Sequence, residues 1–352
     1  VEELLLAYWR VPMASRNMEL SQKQLRELNR AKAGDFSAYD KVIIAFSGGK
    51  DSQASTMKLL DLGCPPEQMY LWHHDVEGGA TPFFDWPCTS DYCCAAAEQL
   101  EIDLYFSWKE GGFRRELLRD NEPTAPTSLE LVGGGIARTG GKGPKGTRRR
   151  FPAIAADLTR RWCSAYLKID VGDKIFANDP TFARGFFLFV TGERREESPG
   201  RAKYLEAEND RASTRKRIIT HWRPVIDFPE KQVWDTIKNY GVNPHPAYHL
   251  GFGRLSCAAC IFGNPDQWAT VRELFPEQFA EIAEYEVALR HTLRDGTTLP
   301  ELADRGTSYL RWLPHSAAWA IEAGRSHQYN HPITTDPWEC PTGAFKKGGG
   351  PT

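Results

Sequence analysis

The apolar run KVIIA, residues 41–45, is followed at once by FSGGKDSQAS, and no other stretch constrains the chain as much. A short β-branched run reads as a buried strand, and residues 51–62 read as a helix. Glycines between a strand and a helix let backbone amides approach an anion closely. The helix N-terminus adds unpaired N–H groups and the positive end of its dipole. Lys50 supplies a full charge, and Ser47 and Ser52 supply hydroxyl donors. The spacing is neither GxxxxGK[ST] nor GxGxxG. An incidental turn would explain the glycines alone, but not strand, loop and helix together. Ser47, Gly48, Gly49, Lys50, Asp51 and Ser52 are therefore predicted to bind phosphate groups.

Further strands are expected at 69–75, 102–108, 185–192 and 217–225, with helices at 91–100 and 161–176 between them. Such alternation predicts an α/β fold with a parallel sheet covered on both faces. LSQKQLRELNRAKAG predicts a helix, so residues 1–33 read as helical, within an N-terminal extension over 1–37. The nucleotide-binding domain is expected over 38–228. It is interrupted at 109–150 by a Gly-, Pro- and Arg-rich insertion that reads as a long mobile excursion. Residues 229–340 read as helical and aromatic, and 341–352 as a disordered tail.

The 352 residues are 41% hydrophobic and 26% charged, as in an ordinary globular protein. No run of about 18 apolar residues occurs, so no membrane partner is expected. Acids precede the short apolar run in VEELLLAYWRVPM where a secretory leader has basic residues, so a cytoplasmic protein is expected. A net charge of -2 argues against a protein held on nucleic acid by overall charge. Residues 138–161 nevertheless hold eight Arg or Lys and one acid, Asp157. That strip reads equally as a solvated loop or as a local polyanion contact. Of the later aromatics, Trp222, Tyr248, Phe252 and Phe262, most read as core, and stacking on a base is the alternative.

FSGGKDS resembles the PP-loop of the ATP-pyrophosphatase superfamily, and more narrowly its phosphoadenylyl-sulfate (PAPS) reductase-like family. HHDVEG (73–78) is similar to the family's acidic position near the nucleotide, implying Asp75, with Glu77 second. RRWCSAYLKID (160–170) resembles its Arg-Cys-x-x-x-Lys segment and implies Arg161 and Lys168. VTGERREESPGRAKY (190–204) resembles its Gly-x-Arg-x-x-Glu-Ser-x-x-Arg segment and implies Arg194, Glu197, Ser198 and Arg201. The resemblance implies a Rossmann-like (adenine nucleotide alpha hydrolase-like) sheet with helical extensions at both ends. ATP and Mg2+ are its implied cofactors, with Lys50, Asp51, Arg194 and Arg201 catalytic.

GRLSCAACIFG (253–263) carries Cys257 and Cys260 with metal-ligand spacing. The resemblance implies a 4Fe-4S cluster on Cys163, Cys257 and Cys260. The family's adjacent Cys-Cys reads Trp162-Cys163 here, so one iron would lack a protein ligand. Cys340, His245 or His249 completing a zinc site is the alternative. Cys64, Cys88 and the Cys93-Cys94 pair read as structural. In DPWECPTG the residues after Cys340 depart from the reductases' catalytic Glu-Cys-Gly-x-His, which counts against sulfonucleotide reduction. Cys340 remains a candidate sulfur carrier.

The resemblance thus implies ATP-dependent adenylation of a nucleic acid for sulfur insertion, as in the ATP-pyrophosphatase and sulfurtransferase component of DNA phosphorothioation systems. Expected partners are a cysteine desulfurase, DNA or tRNA as acceptor, and other subunits of a modification complex. The alternatives are an adenylyl-sulfate or PAPS reductase, a tRNA thiolase, and a nucleotide-binding regulatory subunit.

Overall fold

The computed structural model describes residues 19–155 and 157–346. Residues 1–18, over which much of the N-terminal helix is expected, and 347–352 of the expected tail lie outside the described residues. Helix α1 (Gln22–Lys32) opens with a capping box between Ser21 and Gln24. Strands and helices then alternate through β1 (Lys41–Ala45), α2 (Lys50–Asp61), β2 (Met69–Asp75), α3 (Thr89–Gln99) and β3 (Asp103–Lys109). Helix α4 (Gly112–Leu118) leads to the hairpin of β4 (Pro126–Glu130) and β5 (Ile136–Gly140). Helix α5 comprises Trp162–Ser164, a π-helical turn Ala165–Ile169, and Asp170–Asn178. The sheet is completed by β6 (Gly185–Val190), β7 (Ala207–Asn209) and β8 (Arg217–Trp222). Then come α6 (Glu230–Asn239), α7 (Pro246–His249), α8 (Pro265–Leu274), α9 (Pro276–Leu289), α10 (Leu299–Asp304) and α11 (Trp319–Arg325).

The strand order is β5-β4-β3-β2-β1-β6-β8-β7. The five strands expected from the sequence, β3, β2, β1, β6 and β8, run parallel. Alternation along β1 explains the double cover. Val42 and Ile44 pack with Leu28, Leu59 and Ala96 of α1, α2 and α3, while Ile43 packs with Ile175 and Phe176 of α5. A second core joins Trp268, Phe279 and Ala320 of the C-terminal helices to Phe113 and Trp162.

Two regions differ from expectation. The insertion at 109–150 is structured: α4 packs into the second core, β4 joins the sheet antiparallel to β3, and β5 pairs antiparallel to β4. Residues 341–346, expected in a disordered tail, form a turn. Gly343 donates its N–H to the Tyr248 carbonyl at 2.7 Å, and Thr342 donates to the His249 carbonyl.

From β1 the chain proceeds to β2 and β3 on one side, and returns on the other at β6. Loops leaving the carboxyl ends of β1 and β6 therefore diverge and leave a crevice, the usual ligand position in such sheets.

Candidate nucleotide and thiol site

The loop after β1 is braced from within. Gly48 has φ +71°, and a Cβ there would stand 3.0 Å from the Cys93 Sγ. Ser52 Oγ donates to the Gly49 carbonyl at 2.9 Å, and Gln53 Nε2 donates to the Gly48 carbonyl at 2.7 Å. Gly49 caps α2 without a side-chain hydrogen bond. The phenol oxygen of Tyr248 accepts the Lys50 N–H at 2.9 Å and the Leu255 N–H at 3.1 Å. Tyr248 thereby ties the phosphate loop to the loop that carries Cys257. Its role depends on a partner 198 positions away, so no local sequence signal marks it. Tyr248, Trp222 and Phe252 are all buried, as core aromatics are.

Asp51 sits between two cations. Lys50 Nζ is 2.8 Å from its Oδ2, and Arg194 Nε is 2.6 Å from its Oδ1. Burial alone would raise the Asp51 pKa, but Lys50 and Arg194 outweigh it and hold the carboxyl below its ordinary range. Gly192, just after β6, permits this approach: a Cβ there would lie 2.7 Å from the Asp51 carbonyl carbon. Arg194 also donates to Glu196 at 2.7 Å and to the Phe228 carbonyl at 3.0 Å. Glu197 accepts the Arg194 N–H at 2.9 Å and pairs with Arg201, whose own N–H donates to Ser198 Oγ at 3.2 Å. Glu197 and Ser198 thus shape the arginine loop.

Arg161 faces Arg201 and Arg254. Burial lowers its pKa; Cys163 and Tyr204 oppose that shift, and the two arginines reinforce it. Its Nε is buried without a partner among the described residues. Neighbouring guanidiniums with an unspent donor make a setting for an anion. Arg254 was not among the expected site residues.

The π-helical turn carries Lys168, on which Cys257, Asp85, Cys163 and Cys260 act electrostatically. Lys168 remains solvent-exposed although protein surrounds its ammonium, as in a side chain standing in a cleft. Burial opposes its charge, but those four neighbours raise its pKa. Burial also pushes the Cys163 thiol up to about 11 and the Cys257 thiol well above its usual value. The cysteine loop is held by the Ala259 N–H on the Phe84 carbonyl at 2.9 Å and by Trp86 Nε1 on the Ser256 carbonyl at 3.1 Å. The three expected cysteines thus all act electrostatically on one cation. Among the described residues, however, no three His, Cys, Asp or Glu converge as the shell of a metal ion. The geometry does not offer a ready shell for zinc or for a cluster.

The two histidines offered as alternative ligands are engaged in other bonds. His245 Nδ1 accepts the Ala247 N–H at 3.1 Å and caps α7, and its Nε2 contacts Cys88 and Thr89 at 3.4 Å. His249 contacts Asn243 at 2.9 Å. Cys340 lines a different pocket, of about 170 Å³, with Asn243 and His249, and the charge it feels is Lys238. Cys64, Cys88 and Cys93 are buried, but Cys94 is exposed.

Asp75 serves its own turn, accepting the Glu77 N–H at 2.8 Å and the Gly79 N–H at 2.7 Å. Glu77 accepts the Phe84 and Asp85 N–H groups, each at 2.6 Å. Burial raises Glu77 to about 7 and Asp85 to about 6. Asp85, beside Lys168, is a site residue that sequence reasoning missed. No magnesium shell is evident at the loop, because Asp51 is committed to two cations and Asp75 to backbone.

Residues 181–262, which run from β6 through the arginine loop to the cysteine loop, match the phosphoadenosine phosphosulfate reductase domain. An adenosine 5'-phosphosulfate reductase of Burkholderia cepacia is 36% identical over 72 residues, 20% of this chain and 27% of that enzyme. Over this stretch the chain is similar to the PAPS reductase-like superfamily. A second superfamily relative, the adenosine 5'-phosphosulfate reductase of Neisseria meningitidis, is 29% identical over 32% of this chain and 42% of its own. A 37.8 kDa protein of Escherichia phage 186 is 31% identical over 42% of this chain and 43% of its own. The chain thus spans less than half the length of these curated relatives. Among solved structures, PAPS reductase from Candida auris in its phosphate complex aligns at TM-score 0.36 and 13% identity, over 69% of this chain and 97% of that one. The FMN adenylyltransferase of Candida glabrata with ATP gives 0.36 and 12%, over 72% and 68%. Those two likenesses carry no functional argument. None of the described helices is long and apolar enough to cross a membrane.

Proposed function

We propose that this PAPS reductase-like chain uses ATP to activate the DNA backbone for sulfur insertion. The observation that supports this best is an anion-ready loop, residues 47–52, tied through Tyr248 to the loop of Cys257 and Cys260, whose thiols act with Cys163 on Lys168. The loop amides and Lys50 would take the phosphates of ATP. Magnesium would come with those phosphates and supply further charge neutralisation. An acceptor phosphate oxygen attacks the α-phosphorus, the bond to pyrophosphate breaks, and Lys50 and Arg194 offset the developing charge.

Sulfur from a cysteine desulfurase would arrive as a persulfide on one of the three thiols. Its terminal sulfur bonds to the activated phosphorus as AMP leaves. A second thiol then cleaves the sulfur–sulfur bond, leaving sulfur on phosphorus and a protein disulfide for a cellular dithiol to reduce. Lys168 favours each thiolate in turn. Other subunits of a modification complex would present the acceptor.

A second reading, reduction of adenylyl sulfate by thiolate attack on its sulfur, draws support from the names of two relatives. The separate pocket of Cys340 counts against it. The test supplies ATP, a cysteine desulfurase and labelled cysteine with duplex DNA or tRNA, and adenylyl sulfate with a dithiol in a parallel reaction. The proposal expects pyrophosphate release and label in DNA. Sulfite from adenylyl sulfate without ATP consumption overturns it in favour of the second reading, and label in tRNA alone identifies a tRNA thiolase instead.

A further inference from the structure

The insertion carries charge that the crevice chemistry leaves unused. Within the strip of eight cations over 138–161, the structure separates three kinds. Arg138 pairs with Glu110 at 2.5 Å, and Arg148 with buried Glu116 at 2.8 Å while stacking over Trp162 and Tyr166. Arg161 belongs to the crevice. Lys142, Lys145, Arg150 and Arg160 are exposed and form no ion pair among the described residues, and exposed Arg149 meets Asp120 only at 3.5 Å.

These free cations are held in place by backbone. Residues 145–148 pair with 119–122: the Gly146 and Glu122 backbones exchange hydrogen bonds, and the Arg148 N–H donates to the Arg119 carbonyl at 2.8 Å. The Arg150 carbonyl accepts Trp162 Nε1 at 3.2 Å, and the Arg160 carbonyl accepts the Ala153 N–H at 3.0 Å. Arg150 and Arg160 are thereby fixed beside Trp162, whose neighbour Arg161 faces Arg201 and Arg254. The segment that carries the exposed cations thus leads along the chain to Arg161. The acids on this face are Glu116, Asp120, Glu122 and Asp157. Glu116 is spent on Arg119 and Arg148, Asp120 on Arg149, and Glu122 lies 3.6 Å from Arg115.

We infer that the exposed basic face at Lys142, Lys145, Arg150 and Arg160 docks the backbone of duplex DNA and leads it to Arg161. This rests on the reading that DNA is the acceptor. Charge complementarity supports the polyanion, because exposed cations without acidic partners can meet backbone phosphates. Residues 138–150 contain no aromatic side chain on which a splayed base could stack, which favours a duplex over a single strand.

The experiment measures binding of a fluorescent 24-base-pair duplex (a length of about two helical turns) by anisotropy across a salt series. It compares the full chain with the variant Lys142→Ala/Lys145→Ala/Arg150→Ala/Arg160→Ala. Loss of four phosphate contacts should weaken binding about hundredfold and flatten the slope of log affinity against log salt by about 3.6. ATP binding and the melting temperature should stay unchanged, and Arg138→Ala, already paired, should leave the slope intact. Unchanged affinity and slope in the fourfold variant, with wild-type protein binding duplex and releasing pyrophosphate, overturn the docking surface and leave the functional reading standing. A wild-type chain that binds ATP but no duplex at any salt overturns the DNA reading itself. Binding of tRNA, and not duplex, through the same four residues overturns DNA as the occupant.

Discussion

Lys50, Asp51 and Arg194 close on one another at 2.6–2.8 Å, whereas Cys163, Cys257 and Cys260 act at a distance on Lys168, which has no carboxylate within ion-pair distance among the described residues. The first group is assembled: two cations fix one carboxylate, which holds the loop after β6 against α2. The second is held in reserve. Burial keeps Cys163 and Cys257 as thiols, while Lys168 stands ready to stabilise an anion among them. One side therefore holds its charges in fixed ion pairs before any ligand arrives, and the other holds a cation without a fixed carboxylate partner. Tyr248 joins them through two hydrogen bonds to one oxygen.

The largest expected effect breaks the assembled side. Arg194→Ala strands Asp51 with one partner, and removing one member of a buried ion pair costs about 3–5 kcal/mol. Urea unfolding should register that loss together with loss of ATP binding; unaltered stability would show that the pair contributes little.

The next is a pH effect from the acids beneath the thiols. Burial raises Glu77 from its ordinary 4.5 to about 7. The folded chain then binds more protons than the unfolded one across that window. Its contribution is fully present below 4.5 and is lost as pH rises through about 7, amounting to about 3 kcal/mol. Asp85 acts in the same direction between 3.8 and about 6. Glu77→Gln keeps an oxygen for the Phe84 and Asp85 N–H groups and cannot titrate, so unfolding measured from pH 4.5 to 7 should lose most of this slope. A slope identical to wild type would assign it elsewhere.

Tyr248→Phe tests the link. It leaves the Lys50 and Leu255 N–H groups without their acceptor, which should cost about 2 kcal/mol. Alkylation of Cys257 should also become faster if the two loops are coupled through the phenol; a stability loss without a change in thiol reactivity would confine Tyr248 to packing. The smallest effect is at Lys168→Met. Each unit by which the neighbouring thiol pKa rises reduces thiolate about tenfold, so iodoacetamide should label Cys163 and Cys257 more slowly, whereas equal rates would remove Lys168 from the thiol chemistry.

Much of the sheet was legible because its strands are continuous apolar runs. MYLWHHD occupies β2 over its whole predicted length, and GFFLFV forms β6. The hairpin of β4 and β5 was hidden because β5, IARTG, lies at the sheet edge and alternates exposed with half-buried residues. Turn chemistry in its Gly-rich surroundings reads as loop. At the site, Ser47–Ser52 was legible as a contiguous motif. The pairing of Asp51 with Arg194 spans 143 positions, and the Tyr248 contact is equally remote, so only the fold reveals them. His245 was one alternative for a fourth ligand, and in the fold its Nδ1 caps α7.

The most direct measurement is pyrophosphate release from ATP in the presence of duplex DNA, by wild-type protein and by Lys50→Ala. The account predicts DNA-dependent release by the wild type and none by the variant at an unchanged melting temperature. Normal release by Lys50→Ala would contradict the assignment of the loop after β1 as the seat of the reaction.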